Sequence, residues 1–264
     1  MTTPEVLFGV AGWSYPDWRG VVYPAGCKDT LRAVAARVDL VEINNTFYRP
    51  PSAKNCASWV ERTADLGTRF TAKLPQEFTH AERFDDAAIA AAREGFVPLA
   101  QSGRLVGLLA QFNYRLRHTD GAVARIRRLA EGFAAVAPLF VEVRHESWNA
   151  DAALAALAGC GVGVLELGYP GMVGGFSRDV TGVRAAGAAY FRLHGRNRAW
   201  FRRGAGRDEV YDWRYSAREI EQIRERLERI RAGAGRVLVV ANNHFRGEAM
   251  AVVEQLLARC RERS

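Results

Sequence analysis

The residues of this chain best suited to chemistry alternate with apolar ones inside short segments. Glu42, Asn44 and Thr46 alternate with Val41 and Ile43; Thr71 and Lys73 with Phe70, Ala72 and Leu74. Glu142 and Arg144 alternate with Val141 and Val143, and Tyr190, Arg192 and His194 with Phe191 and Leu193. A side-chain period of two belongs to a β-strand, so each polar set shares one face. Gln111, Glu166, Asn242 and His244 end further apolar segments and join that polar face. Carboxylates, a lysine and an imidazole there can move protons. Arginine forks match carboxylate and phosphate oxygens. Glu42, Lys73, Glu142 and His194 are therefore candidate catalytic residues. Arg144, Arg192 and Arg196 are candidate ligands for an anion. Asn44, Asn242 and Asn243 offer amides to substrate hydroxyls, and Gln111, His244 and Tyr48 join them as candidate binding residues.

Each assignment has a structural competitor. Only Lys28, Lys54 and Lys73 are lysines, whereas the other 34 basic residues are arginine, so a lysine turned inward stands out. Lysine can lose its proton when desolvated and arginine cannot, which suits a base or an amine nucleophile. The alternative is a salt bridge to Glu42 on the neighbouring strand, with Glu42 orienting the amine in the catalytic reading. His194 is a general acid or base, or a hydrogen-bonded structural ring. Glu142, Glu166 and His194 offer donors to a divalent metal, but inward cations crowd them, and no cofactor is expected. An ion network that merely plugs the barrel is the remaining alternative, because such networks also perturb pKa values.

The polar positions need a scaffold, and the apolar segments supply it. They span 7–13, 38–47, 69–75, 104–112, 139–145, 161–168, 188–195 and 236–244. Helical patterns at 52–63, 85–101, 120–136, 151–157, 216–231 and 245–261 fill most gaps, several opening on Ser or Asp, favoured N-cap residues. Strand and helix alternating at this period imply parallel pairing. Eight such units within 264 residues make a single (β/α)₈ barrel over 1–264, for which about 250 residues is typical. An open doubly wound sheet is the competing architecture. The connection 169–186 carries four glycines and no helical pattern, so the sixth unit is abbreviated. The polar face becomes the barrel interior, near the strand ends where barrel active sites are built.

Two loops flank that mouth. Trp13-Ser14-Tyr15-Pro16-Asp17-Trp18 follows the first strand, and Trp13 and Tyr15 read as walls of a small-molecule pocket. The segment 196–215 follows the seventh strand and is long and dense in Arg and aromatics. Loops of that length commonly cover a ligand. It also supports a second function class, in which aromatics stack bases and arginines track phosphates.

The net charge of +8 invites the same nucleic-acid reading. The charge is arginine-borne, however, and between 218 and 231 it alternates with glutamates as on a solvated helix face. A small anionic molecule is thus favoured over nucleic acid as partner. Four widely spaced cysteines form no C-x-x-C pair and read as free thiols. No run of 18 apolar residues predicts a membrane helix. Residues 1–5 lead straight into an apolar segment without signal-peptide features, so a cytoplasmic location is expected. Oligomeric state is left open.

Taken together, several motifs resemble the YecE-like family, the domain of unknown function 72. They are Gly12-Trp13-Ser14-Tyr15-x-x-Trp18-x-Gly20 with Tyr23-Pro24, and Val41-Glu42-Ile43-Asn44-x-Thr46-Phe47-Tyr48. Further along come Lys73-x-Pro75 with Thr79-His80, Val141-Glu142-x-Arg144-His145-x-Ser147-Trp148, and Tyr190-Phe191-Arg192-Leu193-His194-Gly195-Arg196. Asn242-Asn243-His244 with Gly247 completes the set, in order along nearly the whole chain. The resemblance implies a TIM-like barrel and no established activity. Gln111-Phe112-Asn113 and Glu166-Leu167-Gly168-Tyr169-Pro170 depart from the family pattern.

The resulting expectation is an enzyme acting on a small phosphorylated or carboxylated molecule, of isomerase, lyase or hydrolase type. Nucleic-acid binding or processing through 196–215, and non-catalytic metabolite binding, are the alternatives.

Overall fold

The structure, a computed structural model, describes residues 4–168, 174–202 and 204–261. Tyr169 and Pro170, and Arg203 of the segment 196–215, lie outside the described residues, as do the side chains of Trp200, Phe201 and Arg207.

Nine strand segments form one parallel sheet. They are β1 (Glu5–Ala11), β2 (Leu40–Ile43), β3 (Arg69–Lys73), β4 (Leu105–Gln111), β5 (Leu139–Glu142), β6 (Gly163–Val164), β7 (Glu166–Gly168), β8 (Ala188–Leu193) and β9 (Arg236–Ala241). Their order is β6-β5-β4-β3-β2-β1-β9-β8-β7. Segments β6 and β7 are halves of one strand bent at Leu165. The first half pairs with β5 and the second with β8, so the bent strand brings the sheet round into a barrel. The eight expected strands are thus present, the sixth in two pieces.

Helices α1 (Thr30–Ala35), α2 (Ala53–Arg62), α3 (Asp86–Gln101), α4 (Asp120–Phe133), α5 (Asp151–Ala158), α6 (Arg207–Tyr211), α7 (Ala217–Arg231) and α8 (Glu248–Arg261) follow the strands. Side chains of Asp29, Ser52, Asp85, Thr119 and Ser216 accept the backbone N–H three residues on, satisfying donors the first turn would otherwise leave unpaired. Ser216 and Glu219 form a reciprocal capping box. Helix α1 is too short to give a periodic signal, and α6 lies within the segment 196–215. No helix lies between β7 and β8 among the described residues, as the glycine-rich connection predicts.

Val41, Ile43, Phe70, Ala72, Val141, Phe191 and Leu193 are buried in the layer beneath the helices. Barrel-facing positions fill the interior from below with Phe140, whose ring meets Tyr190 edge-on at 5.4 Å. Above it the Tyr190 hydroxyl stands 2.9 Å from Thr71 Oγ1. The next level up is ionic. No helix among the described residues is long and apolar enough to cross a membrane.

Candidate functional site

Register places the charged side chains at one height. Glu42, one residue before the end of β2, lies beside Thr71, and Lys73 stands one step higher on β3; Glu142 ends β5 beside Gln111 of β4; Arg192 lies beside Val240 near the end of β8. Arg192 spans the barrel and has no exposed side-chain surface. Its Nη2 donates to Glu42 Oε1 at 2.8 Å and its Nη1 to Glu142 Oε2 at 2.5 Å. The other Glu42 oxygen accepts from the Tyr190 hydroxyl. The other Glu142 oxygen accepts from Arg144 Nε at 2.9 Å and Nη2 at 2.5 Å. Two buried carboxylates are therefore matched by two guanidiniums, the condition under which such charges are tolerated in a barrel core.

His194 continues the chain of contacts. Asn242 Nδ2 donates to its Nδ1 at 3.1 Å, which leaves the ring proton on Nε2, 3.5 Å from Glu142 Oε2. Burial pushes the imidazole down to about 4, with Glu142 opposing, so the ring is neutral at pH 7. Burial alone would raise Glu142, but Arg144, Arg192 and His194 outweigh it and hold the carboxyl well below the usual range. Tyr190 is driven well above the ordinary phenol value by burial and by Glu42.

Lys73 is the exception to this pairing. No described carboxylate forms an ion pair with it, and its amine lies 5.7 Å from the centroid of the Phe47 ring. Desolvation, then the Arg192 charge, pull the half-buried amine down to about 7, and Glu42 and Glu142 only partly offset them. Thr46 Oγ1 donates to the Lys73 carbonyl at 2.7 Å, tying the β2 loop to the end of β3. The alternative reading of Lys73, a salt bridge to Glu42, is not found among the described residues, where Arg192 and Tyr190 are the partners of Glu42.

The aromatic rim is built from three loops. Tyr15 donates to Ala11 O at 2.6 Å and stacks on His244, with centroids 4.3 Å apart. Tyr211 also packs against that imidazole, tilted, with centroids 4.6 Å apart. Trp13 meets Trp59 edge-on at 5.6 Å. Gly12, Trp13, Ser14, Tyr15, Asn44 and Tyr48 help line a cavity of about 280 Å³. Gly195, at φ +82°, sits where a Cβ would fall 2.8 Å from Trp213 Cβ, so the long segment folds closely over the end of β8.

Several expected residues lie elsewhere. Arg196 donates to Gln222 and approaches Glu219 at 3.4 Å, both on α7, so it faces the helix layer and not the mouth. Arg192 is too enclosed and too committed to clamp a ligand, and it acts as the crossbar between two carboxylates. Asn243, one residue out of phase with Asn242, donates to Trp213 O at 2.8 Å and holds the long segment in place. Glu166 pairs in register with outward-facing Phe191 and therefore points outward. It accepts from Thr181 and from Arg184, the latter at 2.8 Å. Glu166 and Glu142 thus lie on opposite faces of the sheet and cannot share a metal with His194. Among the described residues no His, Cys, Asp and Glu cluster could hold one.

Glu42, Lys73, Glu142, Arg144, His194 and Asn242 do converge, and Gln111 ends β4 beside Glu142. Tyr211 and His80 were not among the expected site residues. His80 meets Phe47 edge-on at 5.2 Å, and burial and then Arg144 lower its pKa. Tyr211 carried a signal as an aromatic of the long segment, and His80 as part of the motif following Lys73.

The model of a family described as a protein of unknown function, DUF72, matches residues 7–264. The chain belongs to the DUF72 family. A curated DUF72-like relative, the UPF0759 protein YunF of Bacillus subtilis (strain 168), is 25% identical over 96% of this chain and 93% of its own. The crystal structure of a DUF72 family protein from Thermotoga maritima MSB8 superposes with a TM-score of 0.86 at 28% identity, covering 97% of this chain and 99% of that one. A DUF72 structure from Enterococcus faecalis V583 gives 0.81 at 22% identity, over 96% and 94%, which supports the fold alone. The expected family and barrel are both found. In this DUF72 barrel the described arginines of the long segment largely face acids: Arg202 pairs with Glu209, and Arg214 with Glu248 at 3.0 Å.

Proposed function

We propose that this DUF72 chain is an enzyme that acts on a small carboxylated or phosphorylated molecule at the C-terminal mouth of the barrel. The observation that supports it most is the unequal fate of the inward charges. Glu42 and Glu142 are held below by Arg192, with Arg144 as the second cation on Glu142, while no described carboxylate forms an ion pair with Lys73 and Arg144 keeps a quarter of its side chain exposed. Both lie towards the open end of the site, where the exposed part of the Arg144 guanidinium can meet an anion while it keeps its bonds to Glu142.

In this reading Arg144 binds the anionic group, Lys73 supplies a lone pair near neutral pH, and Asn242 and His194 set the hydrogen-bonding edge beside Glu142. Arg192 is a positioning residue that fixes both carboxylates. The rim formed by Trp13, Tyr15, His244 and Tyr211 encloses the rest of the molecule.

A panel of phosphorylated and carboxylated metabolites tests the reading by thermal shift followed by turnover assays. A ligand that raises Tm in the wild type, fails to do so in Arg144→Gln, and is converted to product supports it. Binding that is unaffected by Arg144→Gln overturns the site. Ligand retained without product in long incubations converts the reading to that of a metabolite binder.

A further inference from the structure

The polar groups of the mouth differ in what they have left to offer a substrate. Glu42 accepts from Arg192 and Tyr190, and Glu142 accepts from Arg144 and Arg192 with His194 close by. Both oxygens of each carboxylate are thus occupied, and the guanidiniums beside Glu142 stabilise its ionised form and make it a weak base. The Nδ1 lone pair of His194 accepts from Asn242. Within this set the remaining lone pair at neutral pH is that of the Lys73 amine. It lies on β3 beside the Phe47 ring, half-buried, with no described carboxylate paired to it.

The residue type is informative as well. The chain uses arginine at 34 of its 37 basic positions, and arginine would serve any role that required only charge. What lysine adds is a primary amine that can become neutral and attack an electrophile. Charge placement assists it: Arg192 and Arg144 disfavour its ammonium form, and the same Arg144 can receive an anionic group of the molecule attacked.

We propose that Lys73 is a covalent nucleophile that forms an imine with a substrate carbonyl, which makes the substrate class a small anionic aldehyde, ketone or 2-oxo acid. The substrate's negative charge rests on the function proposed above; the amine chemistry does not. In the step the Nζ lone pair bonds to the carbonyl carbon and the C=O π pair moves to oxygen, which is protonated to give a carbinolamine. Loss of that oxygen as water leaves a protonated imine, with one proton taken up from solvent overall. The positively charged carbon–nitrogen bond then draws electrons from the adjacent carbon, which suits isomerase or lyase chemistry and leaves hydrolysis without a role for the amine.

Reductive trapping tests this directly, and three lysines make the readout simple. The intact protein is incubated at pH 7 with sodium cyanoborohydride and glyoxylate, or with the uncharged aldehyde glycolaldehyde, and modified peptides are mapped by mass spectrometry. Lys73 is expected to be modified at least about tenfold faster than Lys28 and Lys54, because surface amines are almost wholly protonated at this pH. Its rate should reach half its maximum near pH 7, and glyoxylate should outpace glycolaldehyde. Lys73→Met should lose the label without changing labelling at the other two lysines. If that variant fails to fold, the wild-type peptide ratios decide alone. Modification of Lys73 no faster than Lys28 and Lys54 with either aldehyde overturns the proposal. Selective modification by both aldehydes at equal rates supports the amine nucleophile and overturns the anionic substrate.

Discussion

Asn242 Nδ2 lies 3.1 Å from His194 Nδ1, and this contact decides which nitrogen of the ring carries the proton. The neutral ring then presents Nε2–H to Glu142. Burial holds His194 near 4 in the fold, against 6.5 in its absence. A group lowered on folding contributes stability above its unfolded pKa, and that contribution is lost as pH falls through the interval between the two values. Acid should therefore cost the protein stability between pH 6.5 and about 4, by an amount on the order of 3 kcal/mol from this group. Denaturant titrations across that range should show a shallower pH dependence in His194→Gln. An equally steep profile in the variant would assign the loss to other groups.

Lys73 makes the opposite kind of prediction, one in which a functional group weakens the fold. Its pKa falls from 10.5 to about 7 on folding. The resulting penalty is absent above pH 10.5, grows as pH falls, and is complete below about 7. Lys73→Met should thus be more stable than the wild type at pH 6, by about 1 kcal/mol or more after allowance for its partial exposure. The advantage should shrink between pH 7 and pH 10, while turnover is abolished. Thermal melts at the two pH values check this, and a variant less stable at pH 6 would contradict it.

Arg192 bridges two carboxylates from β2 and β5, so its loss leaves Glu42 buried without a cation and Glu142 with Arg144 alone. Arg192→Met is expected to cost about 3–5 kcal/mol, as breaking a buried ion pair by removing one partner generally does. Glu42→Gln should cost less, because the Tyr190 hydroxyl can still bond the amide oxygen and Arg192 keeps Glu142 as a partner. The pair Glu42→Gln and Arg192→Met should be non-additive in a double-mutant cycle, since they share one network. Additive costs would mean the two side chains do not interact in solution.

Two arginines close in residue type should behave differently. Arg144 keeps part of its side chain at the mouth, whereas Arg196 is bound to Gln222 and Glu219 on α7. Arg196→Ala should alter stability by less than about 1 kcal/mol, as exposed pairs do, and leave ligand binding unchanged. Arg144→Gln should abolish binding of the anion. Equal losses of binding in both variants would place Arg196 in the site after all.

Much of the barrel was legible because its signals are local. Alternation in Val41-Glu42-Ile43 and Phe191-Arg192-Leu193 reports strand faces directly, since successive side chains must oppose each other. That placed Glu42, Lys73, Glu142, Arg192 and His194 inside together. Glu166 escaped the same reasoning because the sixth strand is bent at Leu165, and its phase is set by pairing with β8. Arg196 and Asn243 escaped it because they stand just beyond their strands, where period two no longer holds. Helix α1 was missed because six residues give too little periodicity.

The sequence by itself determined the barrel, the polar character of its upper interior and the exceptional choice of lysine at position 73. Which charges neutralise one another was decided only by the tertiary structure. Pairing depends on distances across the barrel, between residues as far apart in the chain as Glu42 and Arg192, and no local pattern encodes them. That geometry assigned Arg192 to both glutamates and left Lys73 without an ion pair among the described residues.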